Sequence, residues 1–398
     1  MRAGLQTFYA DEFVSPHLRG SLRKQSAVKI SVKKGTIVDI EKVSRASLSS
    51  ASKKAVRLKT VIPGLVDCHT HLVFGGDRSS EWNLRLSGMS YQDIAKAGGG
   101  IKSTMKATRA LSAGDLFDQA QKRMRKALGF GVTTLEIKTG YGLSLESELK
   151  LLDVIARLKK HGPQSVLTTF MAAHALPPEF DSYGSYVDWI IESLLPRVRG
   201  RAQFQDVFCE KGYFSEQDTV RLLQAGKRYG LRPKVHAHEF GRTGGVKAAV
   251  RTQAVSADHL MYLSREDISA LKRASVVPVL LPGTTFFLRE KQYAPARDLI
   301  DAGVPVALGS DFNPGTCPTL NFPLIGSFAA VHMNMTLDEV LWSQTLGSAM
   351  ALGLNDRGRL EKGMRADFVE LDSVGFESLY YHFGSASISR VVIGGRIV

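Results

Sequence analysis

Cysteine is scarce in this chain. Its three residues, Cys68, Cys209 and Cys317, stand far apart, and none belongs to a C-x-x-C pair. That scarcity excludes a disulfide framework and a cysteine-rich zinc site, and it fits a reducing, cytoplasmic setting. Long apolar runs are missing too. The first thirty residues contain no apolar signal core. No run approaches the roughly 18–20 residues that a bilayer span needs, so no membrane partner is expected. Acidic side chains are the third shortage: 38 against 52 basic ones leave a net charge of +14. The basic surplus is dispersed over helix-like stretches such as Gln121 to Lys126 and Arg157 to Lys160, without a nucleic-acid motif beside it. A nucleic-acid partner is therefore not expected, whereas a small anionic substrate suits such a field.

What is present is ordinary in bulk, with 44 % hydrophobic and 23 % charged residues over 398 positions, enough for a large core. The ends of the chain read as β structure. Ala27 to Val32 alternates, Lys33-Lys34-Gly35 turns, and Thr36 to Val43 continues as a strand. Far downstream, Ala366 to Leu371 and the hairpin Arg390 to Val398, turning at Gly394-Gly395, repeat that character. Residues 1–60 and 360–398 are thus expected to form one small composite, β-sandwich-like domain. Between them, over 61–359, short apolar strands alternate with helical stretches. The strands are Val61–Asp67, Val132–Lys138, Val166–Ala172, Gln205–Cys209, Pro233–Ala237, Ala254–Asp258, Val276–Leu281 and Val304–Gly309. Helices are expected over Leu145–Lys160, Ser215–Tyr229, Ser264–Ala274 and Asn321–Met333, and a long insertion, Gly75 to Leu111, follows the first strand. Eight β/α units in sequence predict an α/β fold of the (β/α)8 TIM type.

Active sites of such barrels lie where strands end. Six of the ten histidines fall there: His69 and His71 after strand one, His174 after strand three, His236 and His238 at strand five, and His259 after strand six. Residues i and i+2 of an extended segment point to one side, so His69 and His71 can face a single point. A further histidine from strand five and an aspartate from strand eight complete a plausible donor set for a divalent metal. Such a set leaves a position open for water.

The stretch Pro63 to His71, PGLVDCHTH, resembles the amidohydrolase superfamily, metal-dependent barrel hydrolases of carbon–nitrogen bonds. More narrowly, HLVFGGDR, SGMSYQDIAKAGGGI, EIKTGYGL, FMAAHALPPEF, VSADHL, VLLPGTTF and SDFNPGTCPT resemble the imidazolonepropionase family, over roughly Pro63 to Asp367. The resemblance implies His69, His71, His236 and Asp311 as ligands of one metal ion, Zn2+ or Fe2+/Fe3+. It implies Arg78 as the partner of a substrate carboxylate, a role that suits a guanidinium fork. Tyr141, His174, Glu239, Asn313, Gly315 and Thr316 match other substrate-binding positions. Glu239, His259 and Asp311 are the candidates for proton transfer. A homodimer is in keeping with the family.

Two departures from the family pattern bear on the site. His238 stands where an acidic residue is common, and is read as a loop neighbour of the site. Strand four ends in Glu210 rather than in the lysine that two-metal relatives carbamylate, so one metal is expected. The implied reaction is hydrolytic opening of imidazolone propionate to N-formimidoyl-L-glutamate. The alternatives are another cyclic-amide hydrolase, an ammonia-releasing aminohydrolase, and a non-catalytic barrel.

Overall fold

In the computed structural model, the residues described are 5–18, 20–49, 55–89, 93–94, 98–373, 375–385 and 387–398. Parts of two expected regions, residues 1–4, 19 and 50–54 of the N-terminal β segment and 90–92 and 95–97 of the insertion, lie outside them. In chain order the strands are β1 (Gln6–Pro16), β2 (Leu22–Lys33), β3 (Thr36–Lys42), β4 (Val56–Pro63), β5 (Leu65–Asp67), β6 (Val132–Lys138), β7 (Ser165–Ala173) and β8 (Phe204–Cys209). They continue as β9 (Arg232–Ala237), β10 (Ser256–His259), β11 (Val277–Leu280), β12 (Ala307–Leu308), β13 (Phe368–Leu371), β14 (Ile388–Ile393) and β15 (Arg396–Ile397).

Two sheets result. One has seven strands in the order β15-β14-β13-β4-β1-β2-β3, so both ends of the chain build it. It curls in a sandwich-like way until the β2–β3 turn meets the far hairpin. The Ala366 amide donates to the Gly35 carbonyl at 2.9 Å, and the Gly395 amide to the Ala366 carbonyl at 2.9 Å. Phe8, Phe13, Ile30, Ile37, Val61, Phe368 and Val392 fill its interior. The second sheet is parallel, in the order β12-β11-β10-β9-β8-β7-β6-β5. Its first and last strands meet just beyond their ends, where the Asp311 amide donates to the His69 carbonyl and the His71 amide to the Phe312 carbonyl, each at 2.9 Å. The barrel closes at that seam.

The expected first strand, Val61–Asp67, is in fact two. Val61 and Ile62 pair with Glu370 and Val369 in the seven-stranded sheet, and only Leu65–Asp67 joins the barrel. The crossing is made at Gly64, where a Cβ would lie 2.2 Å from Thr133 Oγ1. A continuous apolar run hides such a crossing, because both halves are buried. The strand expected to end at Asp258 extends through His259, and the one expected over Val304–Gly309 pairs only at Ala307–Leu308. The helices have their own stop and start signals. Ser144 caps Leu145–His161, and capping boxes Ser215–Asp218 and Ser264–Asp267 open Glu216–Lys227 and Arg265–Ala274. Asn321 caps Phe322–Met333. Among the described residues, the helices Ser79–Leu86, Ile101–Ala110 and Ala113–Gly129 lie between β5 and β6. Among the described residues, no helix is long and apolar enough to cross a membrane.

Candidate metal centre and its pocket

The closing seam carries three of the expected ligands. Asp311 Oδ1 lies 3.4 Å from His69 Nε2 and 3.5 Å from His71 Nε2. At the end of β9, His236 brings its ring centroid to 4.5 Å from that of His69 and 5.6 Å from that of His71. His259, at the end of β10, lies 5.2 Å from His236 and 5.7 Å from His69 by the same measure. Donor atoms of His69, His71 and Asp311 lie within 4.8 Å of one another, and so do those of His69, His236 and His259.

At two of the rings the other nitrogen faces a buried carboxylate. His69 Nδ1 is 2.6 Å from Asp258 Oδ2, and His236 Nδ1 is 3.0 Å from Asp206 Oδ1. The Thr284 hydroxyl donates to Asp311 Oδ2 at 2.6 Å. His69 Nε2 and His236 Nε2, both buried, have no hydrogen-bond partner among the described residues. Buried polar atoms are rarely left so, and bare imidazole nitrogens beside a carboxylate fit a divalent cation. At His69 protonation does not compete with a metal. Burial first, then the Lys138 ammonium and the neighbouring rings, hold His69 well below the ordinary imidazole range. Burial and the nearby rings do the same for His71 and His259. Neutral imidazole is the form that binds metal.

Above these groups opens a small cavity. Of the expected substrate-binding residues, Arg78, Tyr141, His174, Glu239, Asn313 and Thr316 line it. Arg78 is buried and fixed, its Nε donating to Glu81 Oε2 at 2.8 Å; Glu81 also accepts from the Gly100 amide at 3.2 Å. The insertion after β5 therefore serves as the brace of Arg78. Gly315 is not on the wall. It supports Arg78 by having no side chain, since a Cβ there would stand 2.0 Å from Arg78 Nη1. Asn313 Oδ1 accepts from the amides of Gly315 and Thr316 at 2.8 Å each, and so shapes the loop. The His174 ring stacks on His71 at 5.0 Å, its Nδ1 3.0 Å from the Gly140 carbonyl, and burial lowers its pKa to about 3.

Glu239 Oε2 lies 3.6 Å from His259 Nε2. Burial, then the Asp311 charge, push the Glu239 carboxyl well above its ordinary range. Burial also raises Asp311, to about 6, against the pull of the Thr284 hydroxyl. Glu210 acts on the backbone instead. Its Oε2 accepts from the Glu239 and Phe240 amides at 2.8 and 3.1 Å, tying the ends of β8 and β9 together. His238 is outside the pocket lining; it takes a left-handed φ of 57° and its Nδ1 faces the Tyr262 carbonyl at 3.0 Å. Sequence reasoning missed the pocket's apolar wall, Ile101, Phe208, Tyr213 and Phe240. It also missed the buried charges Glu136, Asp206 and Lys234, which stand with Lys138 and Asp258. The one visible signal was charge on alternate residues inside apolar strands, as in Glu136-x-Lys138.

A parallel eight-stranded barrel joined to a small terminal sheet, with histidines gathered at its seam, defines the amidohydrolase class. The model of the Amidohydrolase family matches residues 123–398, and the chain belongs to that family. Within it, the chain is 46 % identical over 346 residues to the imidazolonepropionase of Geobacillus thermodenitrificans, covering 86 % of this chain and 81 % of that one. To the imidazolonepropionase of Geobacillus kaustophilus it is 45 % identical over 377 residues, covering 92 % and 89 %. That of Christiangramia forsetii is 41 % identical over 345 residues, covering 85 % and 84 %. The chain is a member of the imidazolonepropionase family, a hydrolase of carbon–nitrogen bonds in cyclic amides. Among solved structures, a 5-methylcytosine deaminase from Klebsiella pneumoniae superposes with a TM-score of 0.76 over 99 % of this chain and 98 % of that one, at 17 % identity. A zinc-bound adenosine deaminase from Xanthomonas campestris superposes at 0.73 over 98 % and 92 %, at 19 % identity. At such identities the likeness is one of fold.

Proposed function

We propose that the chain adds water across the ring amide of 4-imidazolone-5-propanoate, giving N-formimidoyl-L-glutamate, with the residues gathered at the β5–β12 seam. The observation that carries this reading is the pair of unpartnered Nε2 atoms, on His69 and His236, buried beside Asp311 under a cavity whose wall holds Arg78. His69, His71, His236 and Asp311 would hold one divalent cation, and the nitrogen and oxygen donors suit zinc and iron alike. Such a cation, when bound, supplies a water that loses its proton near neutral pH.

The remaining work belongs to the side chains. Arg78, braced by Glu81, receives the propanoate carboxylate and so sets the depth of the ring. Tyr141, His174, Asn313 and Thr316 frame the ring, and Gly315 leaves room for the guanidinium. The water oxygen adds to the ring carbonyl carbon while Asp311 accepts its proton. The carbon–nitrogen bond then breaks, and the departing nitrogen takes a proton from Glu239, whose Oε2 lies 3.6 Å from His259 Nε2. Burial, which raises the pKa of the Glu239 carboxyl, suits it to the role of proton donor.

The experiment is turnover of imidazolone propionate, followed by loss of its absorbance, with metal and ammonia measured on the same sample. Turnover with one metal per chain and no ammonia is expected. Ammonia release would replace the reading with an aminohydrolase, and no turnover by metal-replete protein would remove it. We extend the proposal to a cytoplasmic homodimer, in keeping with three buried, unpaired cysteines and with exposed Phe286, Val331 and Tyr381 on neighbouring helices. Light scattering tests the dimer. We also propose that 1–60 with 360–398, and 61–359, are the two folding units; Phe8, Phe13, Ile30 and Phe368 fill the smaller, while the barrel's cluster also takes in Val14, Val369 and Leu371.

A further inference from the structure

Beneath the pocket lies a group of buried charges for which the proposed reaction has no use. Lys138 ends β6 with its ammonium fully buried. Its Nζ donates to Glu136 Oε1 at 2.8 Å and to Asp206 Oδ2 at 2.7 Å, and lies 3.8 Å from Asp258 Oδ2. Lys234, equally buried, donates to the Ser256 hydroxyl at 2.8 Å and lies 3.4 Å from the same Asp258 oxygen. Two fully buried ammoniums thus face three fully buried carboxylates. Removing such charges from water is costly, and a hydrophobic replacement of the same volume often packs at least as well. Stability alone does not account for them.

Where the carboxylates lead does account for them. Asp206 turns its other oxygen to His236 Nδ1 at 3.0 Å, and Asp258 meets His69 Nδ1 at 2.6 Å. Glu136 Oε2 accepts from the Thr70 amide, between His69 and His71, at 3.3 Å. The two hydrogen bonds of the Lys138 ammonium, and its longer contact with Asp258, therefore lead to carboxylates that touch His236, His69 or the backbone between His69 and His71. An ammonium offers three donors splayed in space, which a planar guanidinium does not.

We propose that Lys138 is a positioning residue of the metal centre: through Asp206 and Asp258 it sets the tautomer and tilt of His236 and His69, so that both present a bare Nε2 beside Asp311. The inference rests on the proposed assignment of the metal ligands. It couples rings donated by strands four positions apart in the barrel, which no direct contact between those strands could do.

The test is the zinc affinity of the full chain, by competition with a chromophoric chelator, for the wild type and for Lys138→Met and Lys138→Gln, with folding checked by circular dichroism. Loss of an outer partner of a ligand typically weakens metal binding by about 10–100-fold, and that loss is expected in the folded variant. Glu370→Gln, which breaks the ion pair of a buried carboxylate with the partly exposed Arg390 in the small sheet, should lower the unfolding temperature and leave zinc affinity unchanged. A Lys138 variant that behaves like it, less stable but binding zinc as the wild type does, overturns the proposal. If neither Lys138 variant folds, Asp206→Asn, Asp258→Asn and their double variant decide. One shared ammonium predicts a combined loss smaller than the product of the single losses, and a full product overturns it. A wild type that binds no zinc refutes the ligand assignment itself, a different outcome from equal binding by wild type and variant.

Discussion

Gly315→Ala tests the carboxylate site without touching the residue said to perform the binding. The new methyl would stand 2.0 Å from Arg78 Nη1, 2.6 Å from Cζ and 3.1 Å from Nη2. Ordinary contact needs about 3.5–4.0 Å, so the guanidinium must retreat by roughly 1.5 Å. What obstructs the methyl is the tip of a flexible side chain, not backbone, so the barrel should fold. The tip, however, is tethered: its Nε is held by Glu81 at 2.8 Å, and Arg85 clasps the Gly315 carbonyl at 3.0 Å. A retreat of that size removes at least one charge-assisted hydrogen bond to the substrate carboxylate, worth about 1.5–3 kcal/mol. At about 1.4 kcal/mol per decade this is a rise in KM of roughly 10- to 150-fold. The reacting carbon is held by other groups, so kcat should fall much less, as when uniform binding is lost. Steady-state kinetics on imidazolone propionate and on its propanamide analogue provide the assay. The variant and the wild type should coincide on the uncharged analogue. A wild-type KM for the carboxylate substrate, or an equal loss with the amide, would refute the reasoning.

Three further outcomes are expected. His69→Ala removes one of the two unpartnered Nε2 atoms, so the purified protein should lose its metal and its turnover together; activity in a metal-free sample would sink the metal reading. Glu239→Gln keeps the shape of the pocket and cannot supply a proton, so kcat should drop by about 10²–10⁴ with KM little changed, as stopped-flow or steady-state rates would show. Glu339 is in a capping box with Thr336 and pairs with Arg297 at 2.9 Å. Burial opposes its charge, but Arg297 and the Thr336 amide hold its carboxyl below the ordinary value. A depressed folded pKa gives stability that is present above the unfolded pKa and lost as pH falls through the folded one. Wild type should therefore exceed Glu339→Gln in unfolding temperature near neutrality, and the gap should close below about pH 4; a gap that is constant in pH would contradict the assignment.

The seam residues could be read in advance for a physical reason. A metal site at the mouth of a barrel draws its donors from strand ends, and strands are the segments that apolar periodicity marks best. His69, His71 and His236 therefore stood out as polar residues closing apolar runs, and Asp311 as the acid after the last one. Helix starts were legible at Ser144, Ser215 and Ser264 because capping chemistry is local. Other features depend on contacts far apart in sequence. Nothing local to Lys138 announces its burial, which Glu136 and the aspartates of β8 and β10 together make tolerable. Phe208, Tyr213 and Phe240 have the composition of core, and nothing local says that they face a cavity. The strands β1 and β4 went unread because the first lacks a sustained alternation and the second merges with β5 through Gly64.

The seam itself shows why fold and site are not separable here. The last barrel strand pairs with β11 for only two residues, Ala307 and Leu308. Beyond Gly309 the chain changes partner, and its next hydrogen bonds go to the segment carrying the two histidines, Asp311 to His69 and Phe312 to His71. The change is accompanied by a left-handed φ of 51° at Asp311, a conformation that aspartate tolerates better than most residues. Ser310 adds a third tie, its amide donating to Asp67 Oδ1 at 2.9 Å. Closure of the barrel thus requires the backbone of Asp311 to lie against that of His69, and with the backbones so placed Asp311 Oδ1 reaches both His69 Nε2 and His71 Nε2. Three donors converge by the act of closing the sheet. Only His236 must be aimed from a distant strand, which is where the buried aspartates and their shared ammonium enter.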